Sequence, residues 1–274
     1  MVETWDEDQG IQFTQRSLLK CNLPDNFSDN MPGNNSMQSI GEFSLIRQGE
    51  AVYLDAPEGT FSYYHPREIF TGFSWDALSA SPLLARRRVE SILILGLGGG
   101  TVARQCRLVY PDAEIVGVER DPEVLRAAKT HFGLASLAVN MINSPGESYI
   151  DSCRRRFDAI LDDMWPVKPD APKVFETNPN WIEAVRSCLS ARGVHAINIY
   201  SRSRKRSEYW LAARRLRATY PDVREVRPPG GPTTILAAGR DLVTNRSVRL
   251  RIRQLPWLGV EGLRDLTFRR VPRD

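Results

Sequence analysis

The stretch Ile92-Leu93-Ile94-Leu95-Gly96-Leu97-Gly98-Gly99-Gly100-Thr101 decides how the rest of the chain is read. An apolar β-favouring run ends abruptly in glycines and passes into a helical pattern carrying Val102, Arg104 and Cys106. Glycines suit such a junction because the chain must turn sharply and let a ligand approach the backbone at a helix N-terminus, where unpaired N–H groups can donate. A glycine loop alone is weak evidence. It gains weight from Glu119, which ends the next apolar run, Ile115-Val116-Gly117-Val118, about twenty residues on, where a carboxylate can accept both hydroxyls of a ribose. Strand, loop, helix, strand and acid in this order predict a nucleotide site built from Gly96, Gly98, Gly99, Gly100 and Glu119.

Outward from this unit, apolar runs alternate with helix-like segments, the pattern of βαβ units that feed a parallel sheet. Strands are expected at 92–95, 115–118, 138–142, 159–161, 194–199, 223–227 and 234–238, a doubly wound α/β sheet of seven strands. Asp121 as N-cap, Pro122 at the first helical position and Glu123 in the first turn start one of the intervening helices. Upstream, short apolar segments separated by Gln48-Gly49 and Pro57-Glu58-Gly59 predict two or three antiparallel strands between Ser39 and Tyr64, followed by helical spacing from Pro66 to Leu84. The implied organisation is a polar, partly disordered extension (1–38), a small β-region plus helix (39–83), a Rossmann-like nucleoside-binding domain (84–240) and a basic C-terminal extension (241–274). Val248, Leu250 and Ile252 in that extension have no evident place.

The 274 residues, 42% hydrophobic and 26% charged, exclude a disordered or collagen-like chain. No uncharged apolar stretch is long enough to span a bilayer and no signal-peptide pattern opens the sequence, so a cytoplasmic protein without membrane partners is expected. Cys21, Cys106, Cys153 and Cys188 lack metal or disulfide-framework spacing and are expected as thiols. His65, His131 and His195 lack ligand spacing too, and no metal is expected. The net charge of +4 is mild, and aromatic residues do not interleave with the basic ones, which argues against nucleic acid as a partner.

The spacing GxGGGT and the helix start Arg120-Asp121-Pro122-Glu123 favour an AdoMet-type nucleoside over a nicotinamide. The block Val89 to Gly100, Glu119-Arg120-Asp121, Phe157-Asp158-Ala159-Ile160-Leu161-Asp162-Asp163 and Pro228 to Gly239 resembles the spermidine synthase family, aminopropyltransferases on the class I AdoMet-methyltransferase fold. The resemblance extends from about Gln38 to Arg240. It implies Gln38, Glu119, Ser144, Asp162 and the glycine loop at AdoMet or decarboxylated AdoMet, and Asp163 as the catalytic base that takes the proton of the attacking group. It places Trp75, Asp76 and Trp165 at the acceptor.

Departures from the family pattern are equally specific. The loop aspartate that would hold the amine of decarboxylated AdoMet is Gly99, the second acid of the acceptor loop is Pro166, and Tyr-x-Glu reads Ser74-Trp75-Asp76. AdoMet is therefore expected to bind no worse than its decarboxylated form, with Gly99→Asp shifting the preference toward the decarboxylated donor by about tenfold or more, unless the glycine serves only the backbone, in which case both donors are lost alike. The acceptor is expected to be a small molecule other than a standard polyamine. A dense basic cluster, Tyr200 to Ser207, leaves the acceptor's charge open. The alternatives are an AdoMet-dependent methyltransferase and a catalytically inactive nucleoside-binding or interaction protein; a homodimer is left open.

Overall fold

A computed structural model describes residues 35–166, 171–200, 206–255 and 261–271. The chain first forms an antiparallel meander of β1 (Ser36–Ile40), β2 (Phe43–Gln48), β3 (Ala51–Ala56) and β4 (Gly59–Tyr64). Four strands form where two or three are expected, because Gly41 and Gly49 adopt φ of +55° and +59° and close tight hairpins between the first three. β1 begins at Ser36, inside the stretch assigned to the polar extension.

Within the 66–84 stretch helical structure is confined to α1 (Ser74–Ala80) and a 3₁₀ turn over Ser81–Leu84. The preceding segment is held off the helix: Gly72 has φ +77°, and the Asp76 carboxylate accepts the N–H groups of Thr71 and Gly72.

The larger sheet then follows through β5 (Ser91–Leu95), α2 (Thr101–Val109), β6 (Glu114–Glu119), α3 (Pro122–His131), β7 (Val139–Asn143), α4 (Gly146–Ser152) and β8 (Phe157–Asp162). After short α5 (Val174–Thr177) and α6 (Trp181–Ser187) come β9 (Leu189–Tyr200), α7 (Arg206–Thr219), β10 (Asp222–Arg227) and β11 (Thr233–Gly239). All seven expected strands are present. From one edge they run β7-β6-β5-β8-β9-β11-β10, with β5 to β9 mutually parallel and β11 antiparallel to both its neighbours. The order reverses at β5, so β6 and β8 diverge on either side of it and open a crevice at the carboxyl ends of the strands.

The C-terminal extension supplies α8 (Asn245–Arg253), α9 (Glu261–Arg264) and β12 (Thr267–Arg270), which pairs with β10 as an eighth strand. Val248 and Ile252 lie one turn apart on α8 and are buried, whereas Leu250 between them is 55% exposed. Helical rather than strand periodicity explains all three.

Alternation along β5 divides the core. Ile92 and Ile94 face α1, α2, α8 and α9; Leu93 and Leu95 face α4, α6 and α7. Among the described residues no helix is long and apolar enough to cross a membrane.

The small sheet docks directly on the glycine loop. Thr101 Oγ1 accepts the Tyr63 N–H at 2.8 Å and donates to its carbonyl at 3.0 Å, while the Gly99 N–H donates to Ser62 Oγ at 2.7 Å. A Cβ at Gly99 would lie 2.9 Å from the Phe132 ring and from Ser62 Cβ. Glycine at this position is thus a packing requirement, and Gly99→Ala should cost about 1–3 kcal/mol through overpacking. Urea unfolding should show this as a lower midpoint; an unchanged midpoint would contradict the packing.

Candidate active site

A cavity of about 1090 Å³ occupies the crevice. Its floor is Gly96, Gly98, Glu119, Ser144, Gly146 and Asp163, at the carboxyl ends of β5 to β8. Glu42, Phe43, Glu58, Thr60 and Phe61 border it from the small sheet, and Val174, Glu176 and Thr177 from α5.

In the half that receives the nucleoside reading, Gly96 and Gly98 have φ of +80° and +54° and present backbone to the cavity. Glu119 is held by two main-chain donors: the Gly98 N–H reaches one carboxylate oxygen at 2.9 Å and the Asp121 N–H reaches the other at 3.0 Å. Each oxygen keeps further acceptor capacity, the geometry needed to receive a pair of vicinal hydroxyls. Asp121 caps α3 as expected, accepting from Glu123 N–H at 2.8 Å. Ser144 lines the cavity, and its N–H is bonded to the Glu119 carbonyl at 3.0 Å.

At the other half, Asp163 follows β8 with its N–H on the Leu95 carbonyl at 2.9 Å. Its Oδ1 accepts from Asn198 Nδ2 at 2.7 Å and from Trp165 Nε1 at 3.1 Å. Burial pushes the Asp163 carboxyl up to about 6, against the opposing pull of the Asn198 hydrogen bond, the Lys173 charge and the Trp165 hydrogen bond. The buried Lys173 ammonium donates to the Asn198 carbonyl and lies 3.8 Å from the Trp165 ring centroid. Burial pulls its pKa down, opposed by Asp162, Glu208 and Asp163. Trp75 and Trp165 both line the cavity.

Five expected site residues lie elsewhere. Gln38 is exposed on β1, which among the described residues is an edge strand paired with β2 alone, and it is not among the cavity's lining residues. Gly99 and Gly100 are buried behind the loop, where Cβ atoms would meet Phe132, Ser62 and Leu134. An aspartate at 99 would enter that packed space, so the anticipated donor switch by Gly99→Asp has no geometric basis. Asp162 points into the protein and accepts Trp181 Nε1 at 2.8 Å. Asp76 is fully buried and accepts from Thr71, Gly72 and Gln105, an anchor for the loop before α1 rather than an acceptor contact. Of the basic cluster, residues 201–205 lie outside the described residues, while Tyr200 lines the cavity.

The lining corrects a charge argument. Family positions alone suggest that about one acceptor-binding carboxylate is kept. Among the described residues the wall holds Glu42 and Glu58 from the small sheet, Glu119, Asp121 and Glu147 beyond β6 and β7, and Asp163, Glu176 and Glu208 around the far end. Arg120 and Lys173 are the cations among them. Lys173, Asn198, Glu147 and Glu208 have no local motif; only the fold brings them to one cavity.

No protein-family model matches the chain. It is 30% identical over 130 residues, 47% of its length, to a probable polyamine aminopropyl transferase of Bifidobacterium longum, spanning 28% of that protein. Two further curated polyamine aminopropyltransferases are likewise matched over 43% and 38% of their lengths, so the chain spans less than half of these relatives. A probable spermidine synthase from Corynebacterium glutamicum superposes with a TM-score of 0.68 at 17% identity, over 87% of this chain and 91% of that one. Human methyltransferase-like protein 13, solved in complex with SAH, superposes with a TM-score of 0.54 at 24% identity, over 69% of this chain and 95% of that one. The chain is thus similar in sequence to polyamine aminopropyltransferases and shares the Rossmann-like fold of spermidine synthases and class I methyltransferases.

Proposed function

We propose that the chain transfers an alkyl group from an AdoMet-type sulfonium donor to the amine of a small cationic acceptor. The observation that carries this reading is that one cavity joins a backbone-clamped Glu119 to the half-buried Asp163. Glu119 receives the ribose hydroxyls, and the glycine backbone at Gly96 and Gly98 lies along the donor. Among the described residues the surplus of carboxylates gives the cavity wall a negative field, which attracts a sulfonium and an ammonium alike. The relatives named polyamine aminopropyltransferases support an amine acceptor.

Asp163 is the base. Both of its described side-chain hydrogen bonds fall on Oδ1, so Oδ2 is the oxygen assigned to the acceptor's proton. The acceptor ammonium gives one proton to Oδ2, and the nitrogen lone pair attacks the carbon attached to sulfur. The N–C bond forms, the C–S bond breaks, and its electron pair leaves on sulfur as a neutral thioether. The departing thioether identifies the group moved: methylthioadenosine follows aminopropyl or aminocarboxypropyl transfer, and adenosylhomocysteine follows methyl transfer. Assaying both products with AdoMet and decarboxylated AdoMet over a panel of primary amines tests the reading. Nucleoside binding without either product from any pair would assign the chain to the inactive binding class instead.

Two variants follow from the geometry. Glu119→Ala should weaken adenosylhomocysteine or methylthioadenosine binding by about 1–3 kcal/mol, the loss expected for charge-assisted hydrogen bonds to a diol. Calorimetry showing equal affinity for both proteins would remove Glu119 from the site. A base must be ionised to act, so with Asp163 raised to about 6, kcat/KM should fall on the acid side of that value, about tenfold per pH unit. Asp163→Asn should lower kcat by about 10²–10⁴ and abolish that acid limb. A variant that keeps both rate and limb would exclude Asp163 as the base.

A further inference from the structure

Lys173 is the buried cation of a wall otherwise rich in acids, and the transfer chemistry above does not use it. Its surroundings have the composition of a receptor for a primary ammonium. The Trp165 face supplies a cation–π contact at 3.8 Å, and the Asn198 carbonyl supplies a hydrogen-bond acceptor. Asp163 is linked to both walls through Asn198 Nδ2 and Trp165 Nε1. The cage is also fixed in shape, since Trp165 meets the Tyr200 ring edge-on at 4.8 Å while its N–H is tied to Asp163. A substrate ammonium would be well served here, but the protein's own ammonium already occupies the place.

We propose that Lys173 is the built-in occupant of an ammonium subsite beside Asp163, so that the acceptor is an amine with a single cationic centre and an uncharged body. A diamine or polyamine would need for its second ammonium the space that Lys173 holds. This inference rests on the reading that the acceptor is an amine. It makes Lys173 a specificity-determining residue rather than a catalytic one.

The test measures binding and needs no turnover. n-Butylammonium, 1,4-diaminobutane and n-butanol are titrated by calorimetry into wild type, Lys173→Ala and Lys173→Gln, each saturated with adenosylhomocysteine or methylthioadenosine. The expected result is that Lys173→Ala binds n-butylammonium at least tenfold more tightly than wild type does, gains more still for the diamine, and gains nothing for the alcohol. Its unfolding temperature should rise with either amine and stay unchanged with n-butanol. Equal amine affinity in wild type and Lys173→Ala, or an alcohol gain matching the amine gain, would overturn the proposal. If Lys173→Ala does not fold, Lys173→Gln decides: it keeps the stem and a donor for Asn198 but drops the charge, so the affinity ratio of diamine to monoamine should rise at least tenfold over wild type. An unchanged ratio overturns the proposal. A failure here leaves the transfer reading intact, and absence of product in the transfer assay leaves the amine-binding result intact.

Discussion

Backbone closeness at the glycine loop is the constraint from which the rest of the architecture follows. At Gly96 a Cβ would stand 2.7 Å from the Asp163 carbonyl, so the end of β5 and the residue after β8 touch through main chain. At Gly99 the loop meets Phe132 and Ser62, and at Gly100 a Cβ would lie 2.2 Å from Leu134. These approaches set three things at once: Asp163 stands next to the glycine loop, the small sheet is bonded to the start of α2, and the end of α3 closes over the back. Side chains at these positions would separate elements that the site needs adjacent. Loop geometry and catalytic geometry are here the same property.

The electrostatics depend on the same compression. Asp162, Asp163 and Lys173 are brought together in a poorly solvated place, where the Lys173 ammonium and hydrogen bonds favour the ionised carboxylates while burial opposes them, and the Asp162 charge adds to the rise at Asp163. Asp162 is removed from the chemistry by its bond to Trp181, leaving Asp163 to face the cavity. A carboxyl whose folded pKa lies above its unfolded value binds the proton more tightly in the native state. Its contribution to stability is therefore favourable at acid pH and is lost as pH rises through about 6, where it ionises. In the proposed role Asp163 would act over the range in which its charge destabilises the fold, the direction expected at sites where function opposes stability.

Much of the frame was legible because it rests on local periodicity. Each of the seven expected strands forms, since runs such as Ile92 to Leu95 and Ile115 to Val118 admit no amphipathic alternative, and the N-cap at Asp121 acts over two residues. Errors arose where a side chain could be satisfied nearby. Asp76 reads as an acceptor acid, yet Thr71 and Gly72, five and four residues back, already donate to it. Gln38 has the right residue type on a strand whose face turns outward. Lys173 and Asn198 were missed for the opposite reason. They stand 10 and 35 residues beyond Asp163 in the sequence, and their meaning exists only once β8, β9 and the segment before α5 converge.

That convergence explains why a single carboxylate can serve as base in a cavity with so many. In the proposed transfer, two cations enter, a sulfonium and an ammonium, and one cation leaves beside a neutral thioether, with the missing proton on Asp163. An ordinary exposed carboxyl, with a pKa near 4, would be a poor holder of that proton. Burial raises Asp163 to about 6, which makes it a better one, and Lys173 together with the Asn198 and Trp165 hydrogen bonds opposes any further rise. Lys173 therefore stands in a double relation to the site: its charge is one of the influences that hold the Asp163 pKa down, and in the proposal its position fills the space that a second acceptor ammonium would need.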